Sequence, residues 1–246
     1  TDFNPFESIP GVSLRYVQHV SELKNPDMII LPGTKNTMED LLWMRANGLE
    51  AAVLKEAARG KIIFGICGGY QMLGEILSDP HHVEAGGTIK GMGLLPMDTI
   101  FAENKTRTRV SGKFLNLNGD LAALSGAELE GYEIHMGKTT VSTGEHQTPL
   151  VQLADGRTDG VQRMEKGSEA PGVYGSYVHG IFDDGDIAVR IVQALADKKR
   201  VSWKPEAGGD YHAFKEQQYD KLAQGLREHL DMEYVYSILQ ESRISV

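Results

Sequence analysis

A chain of 246 residues with 41% apolar content can build one large α/β domain or two small ones around a sizeable core. Its 25 basic residues against 34 acidic ones leave a net charge of −9, which argues against nonspecific binding to nucleic acid or to an anionic membrane. No apolar run approaches the roughly 20 residues that cross a bilayer, and no signal-peptide pattern opens the chain. One cysteine excludes an internal disulfide and a multi-cysteine metal site, so no metal is expected and the cytoplasm is the expected compartment. The opening TDFNPFES lacks an initiator Met, which suggests a processed product or a piece of something longer.

In chain order, VSLRYVQHV (12–20) reads as an outer strand and DMIILPG (27–33) as a buried strand ending in a turn. TMEDLLWMRANG (37–48) reads as a helix capped by Thr37 and stopped at Asn47-Gly48, with a second helical segment over 49–60. KIIFGI (61–66) is a second buried strand, and YQMLGEIL (70–77) carries helical spacing. Strand, helix, strand, helix implies parallel pairing in a doubly wound sheet. The middle is strand-rich over 87–101, 106–117, 128–141, 159–165 and 172–182. An amphipathic helix starts at Ile187, and the tail from Ala213 to Glu241 is helix-forming, with Leu222, Leu226, Leu230, Val235 and Leu239 as its apolar positions. The expected division is a domain over 1–200 and a helical C-terminal extension, 201–246, packed on it.

Cys67 lies in Gly65-Ile66-Cys67-Gly68-Gly69, which fits a G-x-nucleophile-x-G elbow between strand and helix. In such a turn the backbone is strained and side chains beside the nucleophile would collide with the neighbouring strand. A thiol at a helix N-terminus is also favoured as thiolate. The competing reading is an inert buried thiol. Of the eight histidines, His179 is best placed as a base, since it ends a strand-like run and begins a glycine turn. Oxyanion donors are available from the backbone of Pro32-Gly33-Thr34 and from Gly68. GYEIHMGKT (131–139) misses the phosphate-loop spacing by one residue, and His81-His82 beside Asp79 and Glu84 reads as a polar loop. TRTR (106–109) reads as a solvated edge strand or an anionic-ligand patch.

Four ordered motifs, from Val12 to Asp184, resemble the class I (triad-type) glutamine amidotransferase family: LPG, GICGGYQMLG, HMG at 135–137 and YVHG. LPGTKNT, YEIHMGKT and GSYVHGIFD resemble in particular the branch that amidates corrinoids. The resemblance implies a mixed, mostly parallel central sheet flanked by helices. It also implies that Cys67 attacks the glutamine amide and that His179 moves the protons. Gly33, Thr34 and Gly68 would hold the oxyanion, while Gln71, His135, Met136 and Gly137 would grip the glutamine's amino-acid end. No cofactor is implied in this chain. ATP and Mg would belong to an N-terminal ATP-dependent synthetase domain, which would also hold the corrinoid acceptor. Related readings on the same motifs are the domain of an a,c-diamide synthase, that of a lipid II amidating enzyme, or a cysteine hydrolase on a similar sheet. The family usually carries an acid two residues beyond the histidine; here that residue is Ile181, leaving Asp183, Asp184 and Glu133 as candidates to orient His179, or a Cys–His dyad.

Overall fold

The structure is a computed structural model that describes residues 2–142, 147–163, 172–204 and 211–241. The chain divides into two compact units, residues 1–208 and 209–246. The first is organised on a sheet in which β1 (Met28–Leu31) pairs in parallel with β2 (Ile62–Ile66), and β2 in parallel with β9 (Val173–Ser176). Every residue of β2 is buried, as expected of an aliphatic run covered on both faces. Two helices, α2 (Thr37–Ala46) and α3 (Leu49–Ala58), make the crossover from β1 to β2.

The remaining strands are β3 (Ile76–Asp79), β4 (Gly87–Lys90), β5 (Met97–Phe114), β6 (Glu128–Val141), β7 (Gln147–Leu153), β8 (Thr158–Arg163) and β10 (Val178–His179). The order β1-β2-β9-β8-β7-β5-β3-β4 makes a mixed sheet, with β6 added through β5 and β10. It is parallel from β1 to β9, where the site forms, and antiparallel across β5–β8. Against it pack α5 (Ile187–Lys198), which buries Ile187 and Ile191, and α1 (Asn4–Glu7), which buries Pro5 and Phe6. Phe6, Phe182 and Phe64 stack edge-to-face in sequence, with ring centroids 5.2 and 5.0 Å apart.

Three local expectations are corrected, and one near-miss motif falls where a strand was expected. Residues 12–20 form no strand; the segment runs irregularly into a 3-10 turn at Val20–Glu22, because strand propensity is realised only where a neighbour completes the ladder. The cap of α2 is Asn36, whose side chain accepts from the Glu39 N–H at 3.2 Å, and Thr37 points inward instead. YQMLGEIL divides: α4 (Gly68–Met72) is only five residues, and the chain turns at Gly74 so that Glu75 N–H can bond Met97 and β3 can begin. The phosphate-loop lookalike GYEIHMGKT lies wholly within β6.

The second unit holds α6 (Tyr211–His229) and α7 (Met232–Glu241), with Leu222 and Leu226 exposed along α6 and Leu230 exposed just beyond it. The side chain of Leu239 lies outside the described residues. Among the described residues no helix is long and apolar enough to cross a membrane.

Candidate active site

The elbow is built by steric necessity. Cys67 has φ 51° and ψ −110°, a backbone conformation that costs a side chain-bearing residue about 1–3 kcal/mol. Three hydrogen bonds hold it there: Cys67 N–H to Ser176 O at 2.9 Å, Gly69 N–H to Pro32 O at 2.9 Å, and Gln71 N–H to Cys67 O at 3.0 Å. The turn closes so tightly on β1 that a Cβ on Gly69 would lie 2.1 Å from Leu31 O. The thiol donates to the Ile134 carbonyl on β6 at 3.3 Å. Since α4 is so short, it offers little of a full helix's dipole, and the chemistry of the thiol calls for a side-chain partner.

That partner is His179, the last residue of β10, which is held antiparallel to β6 opposite Tyr132. The Tyr132 ring stacks on the imidazole at 5.2 Å and 13°. Across the ring from the chain's other end comes Asp2: its Oδ2 accepts from His179 Nδ1 at 3.0 Å and its Oδ1 from the Gly180 N–H at 2.8 Å. With Nδ1 committed as donor, Nε2 is the nitrogen left for Cys67. Burial works against the charged imidazole, but the hydrogen bonds and charges of Asp2 and Cys67 outweigh it and raise His179 to about 9. Asp2 is held below its ordinary value of 3.8, because the His179 and Gly180 bonds more than offset its burial.

Asp2 is the functional residue that the sequence did not single out. The acids considered for this position stand elsewhere. Glu133 is buried and gripped by both terminal nitrogens of Arg157, at 2.8 and 3.3 Å. The backbone of Asp183 closes a turn onto Gly180 O, and Ile181 is fully buried in the core.

The oxyanion candidates converge. A Cβ placed on Gly33 would be 2.5 Å from His179 Cε1, 3.3 Å from Nε2 and 3.5 Å from Cys67 Cβ, so only a bare backbone fits between the pair. A Cβ on Gly68 would lie 3.0 Å from the Thr34 nitrogen. The Thr34 hydroxyl is buried with no hydrogen-bond partner among the described residues, a donor held ready beside the turn.

Gln71 is buried beneath Gly137, where a Cβ would meet its Nε2 at 2.2 Å. Its Oε1 accepts from Thr37 Oγ1 at 2.9 Å and its Nε2 donates to the Tyr177 hydroxyl at 3.1 Å, which shares a 2.5 Å bond with Thr139. The amide thus ties α4 to α2, β6 and the β9–β10 turn. His135 stacks on Tyr177 at 3.8 Å and donates from Nδ1 to Gly137 O at 2.9 Å; burial lowers its pKa. Met136 faces a bulge where the β5–β6 register slips between Phe101 and Thr106, a device that re-aims backbone beside a site. Behind this wall, Asp159 accepts from Ser176 Oγ at 2.5 Å and Tyr177 N–H at 3.1 Å, fixing the turn that delivers His179. Among the described residues no group of three or more His, Cys, Asp or Glu side chains is gathered to hold a metal ion.

A strained cysteine, a carboxylate-bound histidine and bare backbone between them, on this sheet, place the chain in the amidotransferase class. The chain belongs to the CobB/CobQ-like glutamine amidotransferase domain family, whose model matches residues 1–187. Over 246 residues it is 50% identical to the cobyric acid synthase of Ruminiclostridium cellulolyticum, covering 98% of this chain and 46% of that protein. It is 46% identical to that of Lachnoclostridium phytofermentans (98% and 48%) and 42% identical to that of Citrobacter koseri (99% and 47%). The chain therefore spans about half the length of the curated relatives it matches. Among solved structures, a glutamine amidotransferase aligns with a TM-score of 0.55 at 18% identity, covering 81% of this chain and 91% of that one. PurLQS from Thermotoga maritima aligns with a TM-score of 0.57 at 18% identity, covering 80% and 91%. At that identity the likeness is one of fold.

Proposed function

We propose that this chain is the glutaminase half of cobyric acid synthase, which hydrolyses glutamine and supplies ammonia for ATP-dependent amidation of corrin side-chain carboxylates. The observation that carries the reading is the strained Cys67 facing an imidazole whose far nitrogen is fixed on a carboxylate. The relatives at 42–50% identity, cobyric acid synthases by name, support the acceptor class. His179 Nε2 holds the proton of the Cys67–His179 pair while the sulfur attacks the side-chain amide carbon of glutamine. Charge then develops on the amide oxygen, where the N–H groups of Gly33 or Thr34 and of Gly68 stabilise it without reorganising. The imidazolium returns its proton to the departing nitrogen, releasing ammonia and leaving a glutamyl thioester. Water, deprotonated by Nε2, cleaves the thioester to glutamate and restores the thiol.

His135, Met136 and Gly137 form the backbone wall against which the amino-acid end of glutamine rests, and Gln71 holds that wall in place. ATP, Mg and the corrinoid belong to an N-terminal synthetase domain, in the cytoplasm; none of the groups described above is needed to bind them. Glutamate release, followed with and without such a synthetase partner, tests the reading. Wild-type chain releases glutamate and ammonia in equal amounts, and Cys67→Ala reduces both by roughly 10³-fold or more. Full activity in Cys67→Ala would refute the mechanism.

A further inference from the structure

We propose that Asp2 is the positioning carboxylate of the catalytic pair, carried to His179 by an N-terminal strap of residues 2–8 rather than by the histidine's own strand. The inference rests on the glutaminase reading only for the substrate. Its foundation is geometric: one carboxylate spans the ring and the following backbone amide, Nδ1 and Gly180 N–H, so it fixes both the tautomer and the rotation of the imidazole. Asp2 is itself buried, with 7% of its surface exposed, so water competes little for those bonds.

The strap is seated by apolar contacts independent of the carboxylate. Pro5 and Phe6 are buried in α1, and the Phe6 ring packs edge-on against Phe182, three residues beyond His179. Phe3 meets Tyr16 edge-on at 6.2 Å. One element thus delivers an acid to the imidazole and a ring to the segment that carries it, and the imidazole keeps its aim only while the strap stays seated. The other groups facing His179 are Cys67 and the stacked Tyr132, and its charge in turn lowers the pKa of His135. Cys67 bears on its titration but does not bind Nδ1.

The test follows His179 by ¹⁵N imidazole NMR in the whole chain, beside the pH dependence of Cys67 alkylation by iodoacetamide. Wild type is expected to show a slowly exchanging Nδ1–H on His179 and a titration near 9. Asp2→Asn lowers that midpoint by about one unit or more and moves the alkylation profile with it. Glutaminase kcat falls about 100-fold with KM within about twofold. Asp2→Glu restores part of the midpoint, and Phe6→Ala shifts it in the same direction as Asp2→Asn by unseating the strap. An unchanged His179 midpoint and alkylation profile in folded Asp2→Asn overturn the proposal. So does a wild-type His179 that carries its proton on Nε2 alone, a result that needs no variant to fold. Because neither readout uses glutamine, a chain without glutaminase activity would count against the functional reading and leave the Asp2 result standing on its own.

Discussion

The reactive centre depends on three bare positions and one carboxylate. Gly69 and Gly33 fail for different reasons when given a side chain, and the difference is measurable. At Gly69 the added Cβ meets backbone, Leu31 O at 2.1 Å, so the strand or the elbow has to move. Gly69→Ala is therefore expected to lower stability by about 2–4 kcal/mol, read as a clear drop in Tm. At Gly33 the Cβ meets the edge of a ring, His179 Cε1 at 2.5 Å, which can rotate aside. Gly33→Ala is expected to retain most of its Tm while losing about 100-fold in activity or more; the reverse pattern in the two variants would contradict the geometry. Cys67 and its glycines were legible in the sequence because the elbow is a local motif of five residues whose sterics leave little choice. Asp2 was not, because its contact with His179 spans 177 residues and nothing in TDFNPFES marks the acid. The missing acid at Ile181 was legible as a vacancy; its replacement had to be found in space.

Among the elements, the link between the strap and β10 carries a pH dependence whose sign is fixed by the shifts. The folded chain holds the His179 proton more tightly than the ordinary 6.5, up to about 9. The stability this gives is fully present below about 6.5 and is lost as pH rises through about 9. Asp2 supplies the opposite limb: held below 3.8 in the folded chain, it contributes above that value and loses its contribution as pH falls. Wild-type Tm is expected to decline between pH 7 and 9.5 by a component that His179→Asn lacks; parallel curves would contradict the pairing. The elements that frame the site, β1, α2, α3, β2 and the strand ending at His179, were readable because long aliphatic runs and capped helices announce themselves. The outer strand expected over 12–20 did not form, since its apolar alternation finds no ladder. The β5 bulge and the shortness of α4 were not readable, for both are set by the strands opposite, through Gly137 over Gln71 and Met97 O under Gly74.

For the molecule as a whole, the sheet gathers at one edge residues from five separated stretches: Asp2, Gly33-Thr34, Cys67-Gly68, the 132–137 wall and His179. No single stretch could do the chemistry. Gln71, Tyr177 and Asp159 bind those stretches into one frame, so the catalytic groups are supported from behind by buried hydrogen bonds rather than by solvent-exposed loops. The acceptor, the synthetase partner and ATP belong to the proposal, since the chain spans about half the length of the relatives it matches. What the proposal assigns to the chain itself is the covalent capture of glutamine, and one measurement tests it directly. Incubated with a diazo-ketone mimic of glutamine and analysed by peptide mass spectrometry, the wild-type chain should carry a single stoichiometric adduct on Cys67, suppressed by excess glutamine and absent in Cys67→Ala. An unmodified Cys67, or an adduct that glutamine does not compete away, would contradict the account.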